Sequence, residues 1–141
     1  MTLNRRAFIG TGVAAAAVLS APMVRGQGKP RVVVVGGGAG GATAARYIAK
    51  DSDGAIDVTL VEPTRAYYTC FFSNLYIGGF RELSSIGHSY GTLASDYGVN
   101  VVHDWAVGID RDAKTVSLAG GAVLPYDRLI LSPGIDRKSV V

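Results

Sequence analysis

Cysteine is almost absent from this sequence, which contains one, Cys70, among 141 residues. A single thiol cannot close a disulfide within the chain, so an internal disulfide framework is excluded. The two histidines, His88 and His103, have no cysteine or carboxylate partner at ligand spacing, so we expect no metal site and no histidine general base. The Cys-x-x-Cys-His pattern that attaches a c-type haem is missing as well.

The sequence also lacks the positive charge that nucleic-acid binding requires. Its formal net charge is +3, from 14 Lys and Arg against 11 Asp and Glu. Arg5, Arg6 and Arg25 supply this whole excess, because residues 1–28 contain no acid, and no basic run follows Arg6. A protein that binds a phosphate backbone needs a basic face, so we predict no nucleic-acid partner.

Residues 1–28 have the order of charge and hydropathy of an export signal. Arg5 and Arg6 precede Phe8, and an apolar stretch rich in Ala and Gly follows over Gly10–Leu19. This stretch is shorter than the roughly 20 residues of a membrane helix, so we predict a cleaved signal and no stable membrane anchor. The paired arginines resemble a twin-arginine signal and predict a periplasmic location, and an ordinary secretory leader is the alternative.

A strand, a glycine turn, a helix and a second strand follow the leader. Val32–Val35 is a β-branched run without polar alternation, as in a parallel strand buried on both faces. The turn at Gly36–Gly41 leads into a helix predicted over 42–50, and the second strand is predicted over 56–61. This order is typical of an α/β, Rossmann-like fold that begins with a βαβ unit.

The rest of the sequence predicts further strands of the parallel sheet, a helix and a small antiparallel meander. We predict a loop with one short helical turn over 63–79, a helix over 83–97, a strand over 99–102, a meander over 106–124 and a buried strand over 126–132. The fold class is therefore α/β, with a parallel sheet and a small antiparallel meander.

The glycines of the turn have the spacing of a dinucleotide-binding motif, Gly36-x-Gly38-x-x-Gly41. Gly36 permits the tight turn, Gly38 lets the backbone approach a pyrophosphate, and Gly41 lets the helix pack closely on the strand. Glu62 ends the second strand about 20 residues later, where a carboxylate accepts hydrogen bonds from an adenosine ribose. The alternative is a glycine-rich turn beside an exposed acid.

The strand over 126–132 and the Pro133-Gly134 turn resemble the second flavin signature of flavoproteins with two dinucleotide-binding domains. A meander before such a strand also fits those flavoproteins. The resemblance favours FAD over NAD and makes Gly134 a cofactor-binding residue. The alternative is an ordinary buried strand that ends in a turn.

The segment Glu62–Asn74, with Gly78-Gly79, resembles the flavoprotein subunit of flavocytochrome c sulfide dehydrogenase, and the string Tyr67-Tyr68-Thr69-Cys70 is its most specific part. The resemblance covers residues 29–137. It implies that Cys70 holds FAD covalently, through a thioether to the 8α-methyl carbon. From the residues alone, Cys70 is buried, paired with another chain, or used as a reactive thiol.

The resemblance also implies a reaction and a partner. In that family sulfide is oxidised at a redox-active disulfide, and electrons pass through FAD to a c-type cytochrome subunit. The two further cysteines are missing here, so we expect no catalytic residue in this chain. We interpret 29–137 as the N-terminal part of an FAD-binding domain and 138–141 as a tail beyond the resemblance. Alone, the chain should be inactive, and it should bind FAD weakly or fold marginally.

The sequence leaves two other functions open. One is a sulfide:quinone oxidoreductase or type II NADH dehydrogenase flavoprotein, which shares the flavin motifs and passes electrons to a quinone. The other is a non-catalytic dinucleotide-binding module. The predicted export signal argues against the first, and a thioether at Cys70 would exclude the second.

Overall fold

A computed structural model describes residues 28–134 of the chain. The predicted export signal up to Gln27 and the tail at 138–141 lie outside these residues. The helices are α1 (Ala39–Asp51), α2 (Ser73–Ile77) and α3 (Gly91–Tyr97), with a short 3₁₀-helix at Leu83–Ile86. The strands are β1 (Arg31–Val35), β2 (Asp57–Val61), β3 (Ala66–Tyr68), β4 (Gly87–Ser89), β5 (Asn100–Val102), β6 (Ala106–Asp110), β7 (Thr115–Leu118), β8 (Val123–Pro125) and β9 (Arg128–Leu131).

Four strands form a parallel sheet in the order β5-β2-β1-β9. In this sheet β1 pairs with β2 on one side and with β9 on the other, and β2 pairs with β5. Side chains of the helices cover one face of β1 and side chains of the meander cover the other, which explains its unbroken valine run. The predicted α/β class with a βαβ start is confirmed.

The valines of β1 divide the core into two clusters. Val32 and Val34 face α1 and α3, where they pack with Ala45, Leu60 and other apolar side chains. Val33 faces the opposite side, because successive side chains of a strand point to opposite faces. There it packs with Val61 and the meander. The sheet therefore lies between a helical layer and an antiparallel layer.

The antiparallel layer is the predicted meander. It consists of β6, β7 and β8 in that order, with antiparallel pairing at both junctions. Val116 of β7 is completely buried and Leu118 is nearly so, because both lie against the sheet. Tyr126 completes this cluster and donates a hydrogen bond of 3.4 Å to the carbonyl oxygen of Asp110.

The structure corrects the prediction between residues 63 and 97. The helix predicted over 83–97 is wrong, since its first half forms the 3₁₀-helix and β4, and only α3 is α-helical. The loop predicted over 63–79 contains β3, which pairs with β4, and the short helix α2. Ser84, Ser85 and Gly87 are poor helix formers, so pairing with β3 prevails over helix formation in this segment.

Within residues 28–134, every helix falls short of the length and apolar character needed to cross a membrane. The same residues include no group of three His, Cys, Asp or Glu side chains that could hold a metal ion.

Candidate functional site

The glycine turn lies at the carboxyl end of β1, between β9 and the start of α1. Gly36 has φ +100°, which side-chain-bearing residues rarely adopt, and its N–H donates to the carbonyl oxygen of Val61 at 2.9 Å. A Cβ at Gly36 would overlap the carbonyl oxygen of Ser132. The turn is therefore closed against the end of β9, and Gly36 is required for that close approach.

The other two glycines of the motif have opposite surroundings. A Cβ at Gly41 would overlap the carbonyl oxygen of Gly36 and would lie 3.3 Å from the Cβ of Ser132. At Gly38 an added Cβ would meet nothing within 4 Å. Gly41 thus allows α1 to pack on the turn, whereas Gly38 borders open space that a ligand can enter.

The first turn of α1 offers hydrogen-bond donors to that space. Gly38 is the N-cap residue of this helix of 13 residues, and no side chain caps it. Its carbonyl accepts the first intrahelical bond, from Ala42 N–H at 2.9 Å. The preceding N–H groups have no intrahelical partner, and they carry the positive end of the helix dipole. Together with the open space at Gly38, they fit the pyrophosphate of a dinucleotide.

Glu62 lies beside this turn at the end of β2. Its Oε2 accepts the Gly37 N–H at 2.7 Å, and its Oε1 accepts the N–H and the hydroxyl of Thr64 at 3.0 and 2.7 Å. Burial alone would raise the pKa of this carboxyl, but the bonds from Thr64 and Gly37 and the nearby His103 lower it overall. Glu62 is therefore an ionised acceptor at neutral pH, half-buried next to the glycine turn.

Two further residues contact this cluster, and the sequence pattern predicts a role in it for neither. Tyr90 is buried, and its hydroxyl donates to the carbonyl oxygen of Gly37 at 2.9 Å. His103 follows β5, with its Nδ1 3.1 Å from the carbonyl oxygen of Glu62 and its ring 6.0 Å from that of Tyr90. Nothing local in the sequence marks Tyr90, because the contact spans 53 positions.

Cys70, also predicted to bind the cofactor, lies in the loop between β3 and α2. The thiol is free and the residue is exposed, so the buried alternative is wrong for Cys70. Its carbonyl accepts the hydroxyl of Ser73 at 2.9 Å, which fixes the tight connection to α2. The next residues, Phe71 and Phe72, are more than half exposed, and Phe72 has a left-handed backbone with φ +63°. An exposed thiol is thus presented among unburied aromatic rings.

Gly134, the remaining predicted site residue, follows β9. It has φ +76° and open space where a Cβ would lie. Two residues earlier, Ser132 donates its N–H to the carbonyl oxygen of Val35 at 2.8 Å and packs against Gly36 and Gly41. The structure therefore brings Gly36, Gly38, Gly41 and Glu62 together. It places Gly134 just beyond the same edge, and the hydrogen bonds of Cys70 are local to its own loop.

The family model for pyridine nucleotide-disulphide oxidoreductases matches residues 30–140. The chain belongs to this family, whose members are oxidoreductases, and this membership supports a flavin cofactor.

Two relatives specify the family further. Over 47 residues, 33% of this chain and 96% of the relative, the sequence is 62% identical to the sulfide dehydrogenase [flavocytochrome c] flavoprotein chain of Chlorobaculum thiosulfatiphilum. Over 105 residues, 73% of this chain and 24% of the relative, it is 31% identical to the sulfide-quinone reductase of Aquifex aeolicus (strain VF5). The resemblance to the flavoprotein of flavocytochrome c sulfide dehydrogenase is thereby confirmed.

The fold agrees with these relatives. The crystal structure of the sulfide:quinone oxidoreductase from Aquifex aeolicus superposes with a TM-score of 0.69 at 26% identity, over 76% of this chain and 25% of that one. The chain thus spans about a quarter of the length of that enzyme. It corresponds to one portion of a flavoprotein of the sulfide dehydrogenase and sulfide:quinone reductase group.

Proposed function

We propose that this chain is the FAD-binding N-terminal portion of the flavoprotein subunit of a periplasmic sulfide dehydrogenase. In this proposal electrons from sulfide reach FAD and leave to a c-type cytochrome subunit. The observation that carries the FAD part is the open space at Gly38, beside the unpaired N–H groups of α1 and the carboxylate of Glu62. The sulfide and cytochrome parts rest on the similarity to the named flavoprotein chain.

Each residue of the glycine site has a separate task toward FAD. Gly38 leaves room for the pyrophosphate, and the first N–H groups of α1 donate to it. Glu62 accepts hydrogen bonds from the ribose hydroxyls, with Thr64 as the donor that the ribose displaces. The same carboxylate repels a 2′-phosphate, which disfavours NADP. When bound, FAD supplies the capacity to accept an electron pair and to release electrons singly.

Cys70 holds the cofactor in this proposal through a thioether to the flavin 8α-methyl carbon. Its exposed position supports the assignment, because the sulfur is accessible to a ligand. In forming the bond, Cys70 Sγ replaces one hydrogen of the methyl group. The hydrogens lost from thiol and methyl remain on the flavin in its two-electron reduced form. The bond retains the cofactor outside the cytoplasm.

The covalent assignment is tested with the full chain, including its leader. After expression the protein is denatured and precipitated, and the peptide containing Cys70 is examined for flavin fluorescence and the mass of an FAD adduct. We expect the adduct in the wild type and in Ser73→Ala, a neighbouring control, and none in Cys70→Ser. Complete release of flavin from the wild type would refute the covalent bond.

A sulfide:quinone oxidoreductase is the second candidate, and two observations favour it. The similarity to sulfide-quinone reductase extends over 105 residues, and the structure of a sulfide:quinone oxidoreductase superposes on this chain with a TM-score of 0.69. That function predicts reduction of a quinone and no need for export. Flavin that is released on denaturation, in a protein that stays in the cytoplasm, would favour this candidate.

The periplasmic location rests on Arg5 and Arg6, which lie outside the described residues. We expect replacement of both by lysine to keep a reporter fused after residue 28 inside the cytoplasm, while the unchanged leader exports it. Export that persists with both lysines but requires the apolar stretch at Gly10–Leu19 would indicate the ordinary secretory leader instead.

A further inference from the structure

The peptide units around Gly37 are held by two side chains from distant elements. Glu62, at the end of β2, accepts the Gly37 N–H at 2.7 Å, and Tyr90, just before α3, donates its hydroxyl to the Gly37 carbonyl at 2.9 Å. Gly37 is itself buried, and a Cβ there would lie 2.7 Å from both the Tyr90 hydroxyl oxygen and the Glu62 Cγ. The fit of the two side chains around Gly37 is therefore close.

The Tyr90 hydroxyl fixes the direction of the next N–H group. The Gly37 carbonyl and the Gly38 N–H belong to one planar trans peptide, so they point in opposite directions and turn together. Since glycines flank this peptide on both sides, little steric resistance opposes its rotation. Among residues 28–134, no hydrogen-bond acceptor is paired with the Gly38 N–H. The hydroxyl thus restrains an otherwise free peptide at the open end of α1.

Packing alone does not require this hydroxyl. The ring of Tyr90 belongs to the cluster with Leu93, Val99 and Leu60, and a phenylalanine ring would fill the same space. Burial and the nearby Glu62 raise the pKa of the Tyr90 hydroxyl, so it keeps its proton and remains a donor at physiological pH.

We propose that Tyr90 is a positioning residue for dinucleotide binding, which holds the Gly38 N–H toward the pyrophosphate by fixing the Gly37 carbonyl from behind. This inference rests on the proposed FAD site at the glycine turn. Glu62 restrains the preceding peptide, between Gly36 and Gly37, by accepting the Gly37 N–H. Tyr90 contacts the carbonyl side of the next peptide and does not touch the ligand.

The test compares Tyr90→Phe with Tyr126→Phe in the full chain, with Cys70→Ser in every variant and in the reference protein so that FAD binds reversibly. Tyr126 is a matched control, because it is also buried and its hydroxyl also donates to a backbone carbonyl, in the meander. FAD affinity is measured by titration of flavin fluorescence, and thermal unfolding is measured without ligand. We expect both variants to unfold at similarly lowered temperatures. Tyr90→Phe should weaken FAD binding about tenfold, or ~1.4 kcal/mol, and Tyr126→Phe less than twofold.

A competition titration with ADP identifies the part of FAD that is affected. We expect Tyr90→Phe to weaken ADP as it weakens FAD, because both carry the pyrophosphate. Unchanged FAD affinity in a folded Tyr90→Phe protein would overturn the positioning role. Failure of the wild type to bind either FAD or ADP would overturn the proposed function and this inference with it.

A second variant covers the case in which Tyr90→Phe does not fold. Gly37→Ala introduces a Cβ that pushes the Tyr90 hydroxyl and Glu62 away from the peptide while the Tyr90 ring is retained. We expect weakened binding of FAD and ADP. Wild-type affinity in this variant would also contradict the inference.

Discussion

Alanine at Gly38 and alanine at Gly41 should separate ligand binding from folding, although the two residues lie three positions apart in one motif. At Gly41 the new Cβ would overlap the carbonyl oxygen of Gly36, which is backbone and cannot rotate aside. At Gly38 the Cβ would enter open space, and the backbone there, with φ −64°, accepts alanine. One variant therefore distorts the packing of α1 on β1, whereas the other occupies the space proposed for the pyrophosphate.

The expected magnitudes differ accordingly. To relieve the overlap, Gly41→Ala must move α1 away from the sheet and loosen the contacts of Ala45 and Val34. Overpacking of this kind costs about 1 to 3 kcal/mol, and we expect the upper end because the obstacle is backbone. A loss of about 3 kcal/mol lowers the unfolding temperature of a domain of this size by roughly 12 °C or more. Gly38→Ala has two opposing effects on stability, since alanine is the poorer N-cap but reduces the conformational entropy of the unfolded chain. These effects nearly cancel, so we expect a net change within about 1 kcal/mol.

The assay measures thermal unfolding without ligand and FAD affinity by fluorescence titration, in chains that also carry Cys70→Ser so that FAD binds reversibly. We expect Gly38→Ala to unfold like the wild type and to bind FAD at least about tenfold more weakly, a difference of about 1.4 kcal/mol. Gly41→Ala should unfold at a clearly lower temperature. Wild-type FAD affinity in Gly38→Ala would refute a pyrophosphate at that position, and wild-type stability in Gly41→Ala would refute the close packing of α1.

Three further predictions concern charge, core and surface. The pKa of Glu62 lies below its ordinary value of 4.5, so its contribution to stability is lost as the pH falls below that value. In urea unfolding, Glu62→Gln should make the free energy of unfolding depend less on pH in this acidic range. The same pH dependence in the variant and the wild type would contradict this prediction. Leu60→Ala should cost about 2 to 5 kcal/mol in urea unfolding. Leu131, whose side chain is 57% exposed, is the control, and Leu131→Ala should change stability by about 0.5 kcal/mol at most. Equal losses of stability in Leu60→Ala and Leu131→Ala would contradict the placement of Leu60 in the core. Ile77 and Phe80 are each 81% exposed, so replacing both by serine should leave stability unchanged and should reduce the light scattering that association of the chains causes. A lower unfolding midpoint would mean that these two side chains pack within the chain.

The sequence predicts well the elements that are specified by residues close together in the chain. The valine run of β1 and the glycine turn are confirmed where the sequence indicated them, and the meander matches within a residue or two. These elements are specified by β-branched residues, glycine spacing and turn residues, which act over a few neighbouring positions.

The sequence predicts the segment from β3 to α3 poorly, because the two strands in it are very short. β3 and β4 have three residues each, and they pair across about 20 intervening positions. A strand this short has no periodicity of its own, so only its partner stabilises it. The role of Tyr90 escapes prediction for the same reason, because the sequence predicts a helix across it, whereas Tyr90 is the residue before α3.

The sequence by itself determined the strand, turn and helix of the dinucleotide motif, since the glycines and the valine run act within a few residues of one another. Only the tertiary structure decided what surrounds the motif. The contacts to Gly37 come from residues 25 and 53 positions away, and Ser132 reaches Gly36 from the end of β9. Such contacts depend on strand order and register, which bring the carboxyl ends of β1, β2 and β9 to one edge of the sheet.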